Sequence, residues 1–180
     1  MILVINSSGG DLEFVLDTQY KRVATERQSV ALPTETEKFI AECGATWRDI
    51  SAIGVVVGPG SFTGIRIGIA YAKGLAMGLN IPVVSVNAFE LYLSATPDAC
   101  VAIDSGHGDF FVGANNLSPC TMTIDELETK QMKWPRTVGH KPFDLKLGVQ
   151  IVRDKLANGA SEPVVPMYLR PSYVETNKQG

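Results

Sequence analysis

The chain opens on an unbroken apolar run, Ile2, Leu3, Val4 and Ile5, closed by Asn6. That is the pattern of a strand covered on both faces of a sheet. Ser7, Ser8, Gly9, Gly10 and Asp11 follow as a turn cluster. Residues 12–17 and 20–25 read as two more strands, and the short turns between them predict an antiparallel meander. From 29 to 43 the apolar positions shift to helical spacing at Leu32, Phe39, Ile40 and Cys43. Two starts fit this helix: Ser29 as cap with Pro33 near the first turn, or Thr34 as cap with Glu37 closing a capping box. Gly44 ends it. A short capped turn at 46–49 then leads into a β-branched strand at 52–57.

Gly58, Pro59 and Gly60 stop that strand. Ser61 is placed to cap the helix that follows, which runs to about Gly78, Leu79 and Asn80. Residues 82–86 form the next strand, Asn87 caps a helix at 88–94, and Thr96, Pro97 and Asp98 break the chain. Three antiparallel strands followed by β–α units is the order of a ribonuclease-H-like lobe. The opening then recurs. Residues 100–108 are a buried strand ending in Asp104 and glycines, and 109–114 are again a second strand. Residues 123–130 are mostly polar, with Ile124 and Leu127 as anchors, and 136–139 form a short strand. The stripe from Phe143 to Leu156, stopped by Asn158 and Gly159, favours a helix. Pro166 and Pro171 keep the tail extended, and its last two residues fray. The expected architecture is α/β, two tandem ribonuclease-H-like (actin-like ATPase) lobes. The first spans 1–98; the second, diverged and shortened, spans 99–180 and includes the C-terminal helix.

Composition adds limits. The net charge is −3 and the sequence pI about 5.4, so no global basic field collects nucleic acid. Cys43, Cys100 and Cys120 form neither a CxxC pair nor a disulfide framework, which fits a reducing compartment. The N-terminal apolar run has no basic segment before it and is too short for a signal peptide or a span. The expected location is the cytoplasm, with no membrane.

The strand–turn–helix at 55–68 is a shape that can receive an anion on unpaired N–H groups. It is neither a Walker A loop, since no lysine follows its glycines, nor GxGxxG, since Thr63 stands where the third glycine belongs. Gly58, Gly60, Ser61 and Thr63 are the candidate phosphate or nucleotide contacts. The competing reading is structural: a sharp turn, a cap, and Phe62 plugging the core. Gly64, Gly68, Ala72 and Ala76 lie four apart and share one helix face. A face so bare packs closely, either on the chain's own sheet or on a partner helix. Arg66 points away from it, as a surface charge or a contact to a partner or phosphate. Asn6 ends the first strand with a neutral side chain, a poor Mg²⁺ ligand. Asp11 and Asp17 read as solvated turn acids; Asp104 and Asp109 keep a trace of a second phosphate loop. His107 and His140 lack metal spacing, Ser61 lies outside GxSxG, and the cysteines read as small apolar residues. No catalytic residue, intrinsic cofactor or metal site is expected.

The run Gly58-Pro59-Gly60-Ser61-Phe62-Thr63-Gly64-Ile65-Arg66-Ile67-Gly68 closely resembles the signature of the bacterial TsaB (YeaZ) family. So do residues 72–76, the Ala102-Ile103-Asp104 start of the second lobe with Gly108 and Asp109, and the terminal Pro166-Met167-Tyr168-Leu169-Arg170. The resemblance runs along nearly the whole chain. It implies membership of the actin, Hsp70 and sugar-kinase superfamily. The implied role is a non-catalytic partner subunit in making N6-threonylcarbamoyladenosine at position 37 of tRNA. It also implies pairing with the TsaD transferase and the TsaE ATPase, or with itself when alone, with tRNA met through the complex. Gly64, Gly68, Ala72, Ala76 and Arg66 are the expected interface, and ATP or ADP would sit at a subunit junction. The chain departs from the family pattern at Asn6, where an acid is usual, and at Gly106, where an arginine is usual. The competing function is a weak ATPase or small-molecule kinase; a ribonuclease-H-type nuclease is a weaker third.

Overall fold

The computed structural model describes residues 1–131, 137–139, 142–159 and 162–169. The first sheet contains β1 (Ile2–Asn6), β2 (Leu12–Leu16), β3 (Gln19–Val23), β4 (Ala52–Val56) and β5 (Val83–Val86) in the order β3-β2-β1-β4-β5. β1, β2 and β3 pair antiparallel, while β4 joins β1 and β5 joins β4 in parallel. All five residues of β1 are buried because both faces of the sheet are covered. Leu3 and Ile5 enter the core beneath α1 (Gln28–Glu42) and α2 (Phe62–Leu79), with Phe14, Leu32, Phe39, Ile65 and Ile69. Ile2 and Val4 enter the opposite core, with Val84, Val86, Leu91, Leu145, Val149 and Val152. Period-two alternation thus feeds two cores from one apolar run.

The second sheet repeats the opening order: β6 (Cys100–Asp104), β7 (Asp109–Ala114) and β8 (Leu117–Thr123) are antiparallel, and β9 (Thr137–Val138) joins β6 in parallel. Among the described residues, its buried core is Cys100, Ala102, Val112, Met122 and Leu127, the last from α4 (Ile124–Gln131). The repeated meander is the actin-like, ribonuclease-H-like arrangement. β8 is an element the sequence pattern did not suggest. Asn115 and Asn116 form its hairpin turn, and Pro119 is tolerated because β8 lies at the sheet edge.

Two helices tie the halves together. α3 (Ala88–Ala95), capped through Asn87 and Glu90, sets the Phe89 ring against Gly113 of β7 so closely that a Cβ there would lie 2.9 Å from it. α5 (Leu147–Ala157), grouped with the second lobe by its place in the sequence, packs on β1, β4 and β5 of the first. It begins four residues later than its apolar stripe suggested. α1 begins at Gln28 with Arg27 as N-cap and no side-chain cap bond, so neither Ser29 nor Thr34 caps it. Pro33 lies inside the helix. Its missing N–H leaves the Ser29 carbonyl without its usual helical donor, while Thr36 returns its hydroxyl to the Leu32 carbonyl at 2.6 Å. His140 and Arg170 lie outside the described residues, so their readings do too.

Candidate functional site

The two candidate stretches of the first lobe, the β1–β2 turn and the loop from β4 to α2, are built against each other. Asn6 is 3% exposed. Its Oδ1 accepts the Ser8 N–H at 2.9 Å and the Ser8 hydroxyl at 2.7 Å, and its Nδ2 donates to Glu13 at 2.6 Å. Glu13 also accepts the Tyr20 hydroxyl at 2.5 Å. Partial burial, and then the Glu13 carboxylate, push that phenol up to about 12. Asn6 therefore shapes a turn, and a neutral side chain is what Glu13 requires beside it: a carboxylate there would face a carboxylate.

Ser8 in turn meets the second stretch. The Ser61 N–H donates to the Ser8 carbonyl at 2.7 Å, and a Cβ on Gly60 would lie 2.5 Å from that same oxygen. Gly58 has φ +116°, a conformation that favours glycine, and is covered by Ile65 and the Met167 carbonyl. Ser61 caps α2 by accepting the Gly64 N–H at 3.2 Å, as its position suggested. Of the four candidate phosphate contacts, Gly58 is buried and Gly60 is packed on Ser8. Only Ser61 and Thr63 reach an open cleft of about 670 Å³, whose other walls include Gly9, Gly10 and Arg27.

The small-residue face of α2 turns inward. Gly64, Gly68, Ala72 and Ala76 are all buried within the chain. A Cβ on Gly64 would overlap the Ser7 carbonyl oxygen and one on Gly68 the Ser7 Oγ, which donates to the Gly64 carbonyl at 2.8 Å. Gly64 and Gly68 thus pack on the chain's own β1–β2 turn, while Ala72 and Ala76 lie in the core between α2 and the sheet. The outward face carries Arg66, Ala70, Lys73, Gly74 and Met77, the last 84% exposed. Among the described residues, a Cβ on Gly74 or Gly78 would meet nothing within 4 Å. α2 contains no Asp or Glu.

Arg66 does point away from the buried strip, and it is held in place. Its Cζ lies 3.8 Å from the Phe62 ring centroid and 5.6 Å from that of Tyr168. Its Nε–H donates to the Tyr168 hydroxyl at 2.7 Å. The two rings stack with centroids 5.2 Å apart. Phe62 is 43% exposed and plugs no core, which corrects the expectation that it would. Tyr168 arrives on the C-terminal tail, which crosses the loop where the Met167 N–H donates to the Val57 carbonyl at 2.8 Å. The tail then reaches the second lobe, where Thr121 Oγ1 donates to the Leu169 carbonyl at 3.0 Å. Sequence reasoning did not join Tyr168 to Arg66; the only signal was that both lie in motifs of the same family signature. Upstream, Lys155 Nζ anchors the tail through Glu162 at 3.0 Å, Glu90 at 2.7 Å and the Ser85 carbonyl at 3.0 Å. The ammonium holds the Glu162 carboxyl below its ordinary range.

In the second lobe, Asp104 Oδ1 accepts the Gly106 N–H at 2.7 Å, and Ser105 Oγ hydrogen-bonds Asp109. These acids organise a turn. Among the described residues, no three His, Cys, Asp or Glu side chains gather where they could hold a metal ion. No helix among them is long and apolar enough to cross a membrane.

With this geometry in view, the chain can be set beside known proteins. The model of the family described as "TsaD: tRNA N6-adenosine threonylcarbamoyltransferase" matches residues 21–142. The tRNA N6-adenosine threonylcarbamoyltransferases of Clostridium kluyveri and Clostridium perfringens are 33% and 34% identical over 94 residues, covering 47% of this chain and 28% of each relative. The chain thus spans little more than a quarter of the length of these curated relatives. YeaZ from Pseudomonas aeruginosa superposes with a TM-score of 0.70 at 18% identity, over 93% of this chain and 99% of that one. A protein described as having similarity to peptidase YEAZ from Pseudomonas aeruginosa superposes with a TM-score of 0.72 at 17% identity, over 94% and 99%. At these identities the likeness is one of fold, and it extends over both lobes.

Proposed function

Because the chain belongs to the TsaD (tRNA N6-adenosine threonylcarbamoyltransferase) family and has the YeaZ (TsaB) fold, we propose that it serves N6-threonylcarbamoyladenosine synthesis as an accessory subunit. In this reading it pairs with a full-length TsaD-type transferase, and a TsaE-type ATPase acts on the pair. The observation that carries the pairing is the outer face of α2. Glycine inside a helix costs roughly 1 kcal/mol relative to alanine, and among the described residues a Cβ on Gly74 would meet nothing within 4 Å. A bare backbone flanked by the 84%-exposed Met77 is suited to close approach by another helix. The Asn6 network supports an accessory role: the first strand ends in a turn-building amide bonded to Glu13 and Ser8. Any ATP or ADP would then sit at the junction with the partner, beside the Ser61 and Thr63 cleft, and tRNA would be met through the complex.

The test is size-exclusion chromatography of the purified chain with its cognate TsaD-family protein, then reconstitution of the tRNA modification with and without it. A stable heterocomplex and modification dependent on the chain are expected. Gly74→Leu should abolish the complex while the chain stays folded. Modification at full rate without the chain, or Mg²⁺-dependent ATP turnover by the chain alone, would refute the accessory reading.

A further inference from the structure

Arg66 is the part of the outward α2 surface whose geometry is already fixed before any partner arrives. A free arginine side chain loses roughly 2 kcal/mol of rotamer entropy when it is immobilised. Here one face of the guanidinium lies on Phe62, with Cζ 3.8 Å from the ring centroid, and Nε–H is bound to the Tyr168 hydroxyl at 2.7 Å. Much of the ordering has been done by the fold. Among the described residues no carboxylate pairs with Arg66, and none of the seven ion pairs includes it. Arg66 is exposed, and among the described residues no hydrogen bond or ion pair engages its Nη atoms; a guanidinium held this way offers a planar fork of donors that matches a carboxylate through two parallel hydrogen bonds.

The surroundings select the sign and kind of ligand. α2 carries Arg66 and Lys73 and no acid, in a chain whose net charge is −3. The positive end of the helix dipole lies one turn away at Ser61. Phe62 and Tyr168, 43% and 47% exposed, give the fork an apolar rim, and Arg, Tyr and Phe together have the composition of an interface anchor. A single fixed arginine in an acidic chain is poorly suited to track a nucleic-acid backbone, which calls for a basic stripe.

We propose that Arg66, held by Phe62 and the tail residue Tyr168, is a receptor for one Asp or Glu carboxylate of the protein partner, with the two rings covered by an apolar neighbour of that acid. This deepens the pairing reading and rests on it. The C-terminal tail then contributes to the interface through Tyr168, a positioning residue for the guanidinium.

The experiment is calorimetric titration of the full chain with the cognate TsaD-family protein at low and high salt. Arg66→Gln should weaken binding about 10- to 100-fold, the range of a lost charge-assisted pair, and the loss should shrink at high salt. Arg66→Lys should recover only part of the affinity, since it keeps the charge and not the fork. Tyr168→Phe should cost roughly three- to tenfold while lowering the chain's unfolding midpoint by no more than a few degrees. Wild-type affinity in Arg66→Gln overturns the receptor and leaves the pairing intact. If wild type does not bind, the pairing reading falls, and the receptor is read by itself from the Arg66 Nε–H NMR signal on titration with a capped oligoglutamate peptide. A saturable shift that disappears in Tyr168→Phe supports it, and no shift overturns it. A stronger response to a short oligoribonucleotide than to the peptide also overturns it, in favour of RNA phosphate.

Discussion

Replacing Gly68 and Gly74 by alanine, one at a time, is a direct test of which face of α2 is which. The two sites are in the same helix interior, so the intrinsic gain from losing glycine is common to both, roughly 0.8–1.0 kcal/mol. At Gly74 a new Cβ meets nothing within 4 Å among the described residues, so the whole gain should appear as stability. At Gly68 the new Cβ overlaps Ser7 Oγ, and Ser7 cannot give way without losing its 2.8 Å bond to the Gly64 carbonyl. Overpacking costs about 1–3 kcal/mol and a lost buried hydrogen bond about another 1 kcal/mol. The net at Gly68 is a destabilisation of about 1–3 kcal/mol. The difference between the two variants is thus about 2–4 kcal/mol, or roughly 4–16 °C in Tm for a chain of this size. Urea unfolding followed by circular dichroism reads it directly, with m unchanged in both variants. Equal stabilisation by the two alanines would refute the inward placement of the glycine strip. So would a Gly68→Ala chain that folds as wild type but fails to bind the proposed TsaD-family partner.

Other outcomes follow from the same contacts. Asn6→Asp puts a second carboxylate beside Glu13, 2.6 Å from the present amide nitrogen; it should lower stability by about 1–3 kcal/mol at neutral pH and recover part of it near pH 4, read by urea titration at both pH values. Tyr20 is raised from 10.0 to about 12 in the folded chain, so its stabilisation is complete below pH 10 and is lost as pH climbs through 12. Tyr20→Phe should flatten that segment of the stability–pH curve. Lys155→Met leaves Glu90 and Glu162 facing each other without their ammonium. With Lys155 14% exposed and Glu162 58% exposed, the loss is about 1–3 kcal/mol, discounted from the fully buried case and visible as a lower Tm. A chain ended at residue 98 removes Leu145, Val149 and Val152 from one of the two cores of the first sheet and should be insoluble or lack a cooperative unfolding transition.

Most of the strand order was legible because period and punctuation were local: the apolar run of β1, the meander turns, the Ser61 and Asn87 caps, and Asn80, whose φ of +54° stops α2. β8 was not, since Pro119 argues against a strand unless its edge position is known. The orientation of α2 was harder, because small residues repeat every fourth position twice, at 64, 68, 72 and 76 and again at 70, 74 and 78. The larger residues decide it. Ile65 and Ile69 flank the first set and are buried, whereas Met77 and Arg66 flank the second and are exposed. A stripe drawn through the large apolar positions would have given the inward face.

The contact between Phe62 and Tyr168 has no local trace, since 106 positions separate them, and it changes how the glycine-rich motif divides its labour. Gly58 admits the tail, Gly60 admits Ser8, and Gly64 and Gly68 admit Ser7. Ser61 serves its own helix. The four glycines are thus taken up by close contacts within the chain. Phe62 and Arg66 stay exposed, and Ser61 and Thr63 line the open cleft. The glycines draw the β1–β2 turn, α2 and the tail close together, and that closeness is what holds the Arg66 guanidinium still. A family signature dominated by glycine therefore works, in this chain, to fix the position of one cation.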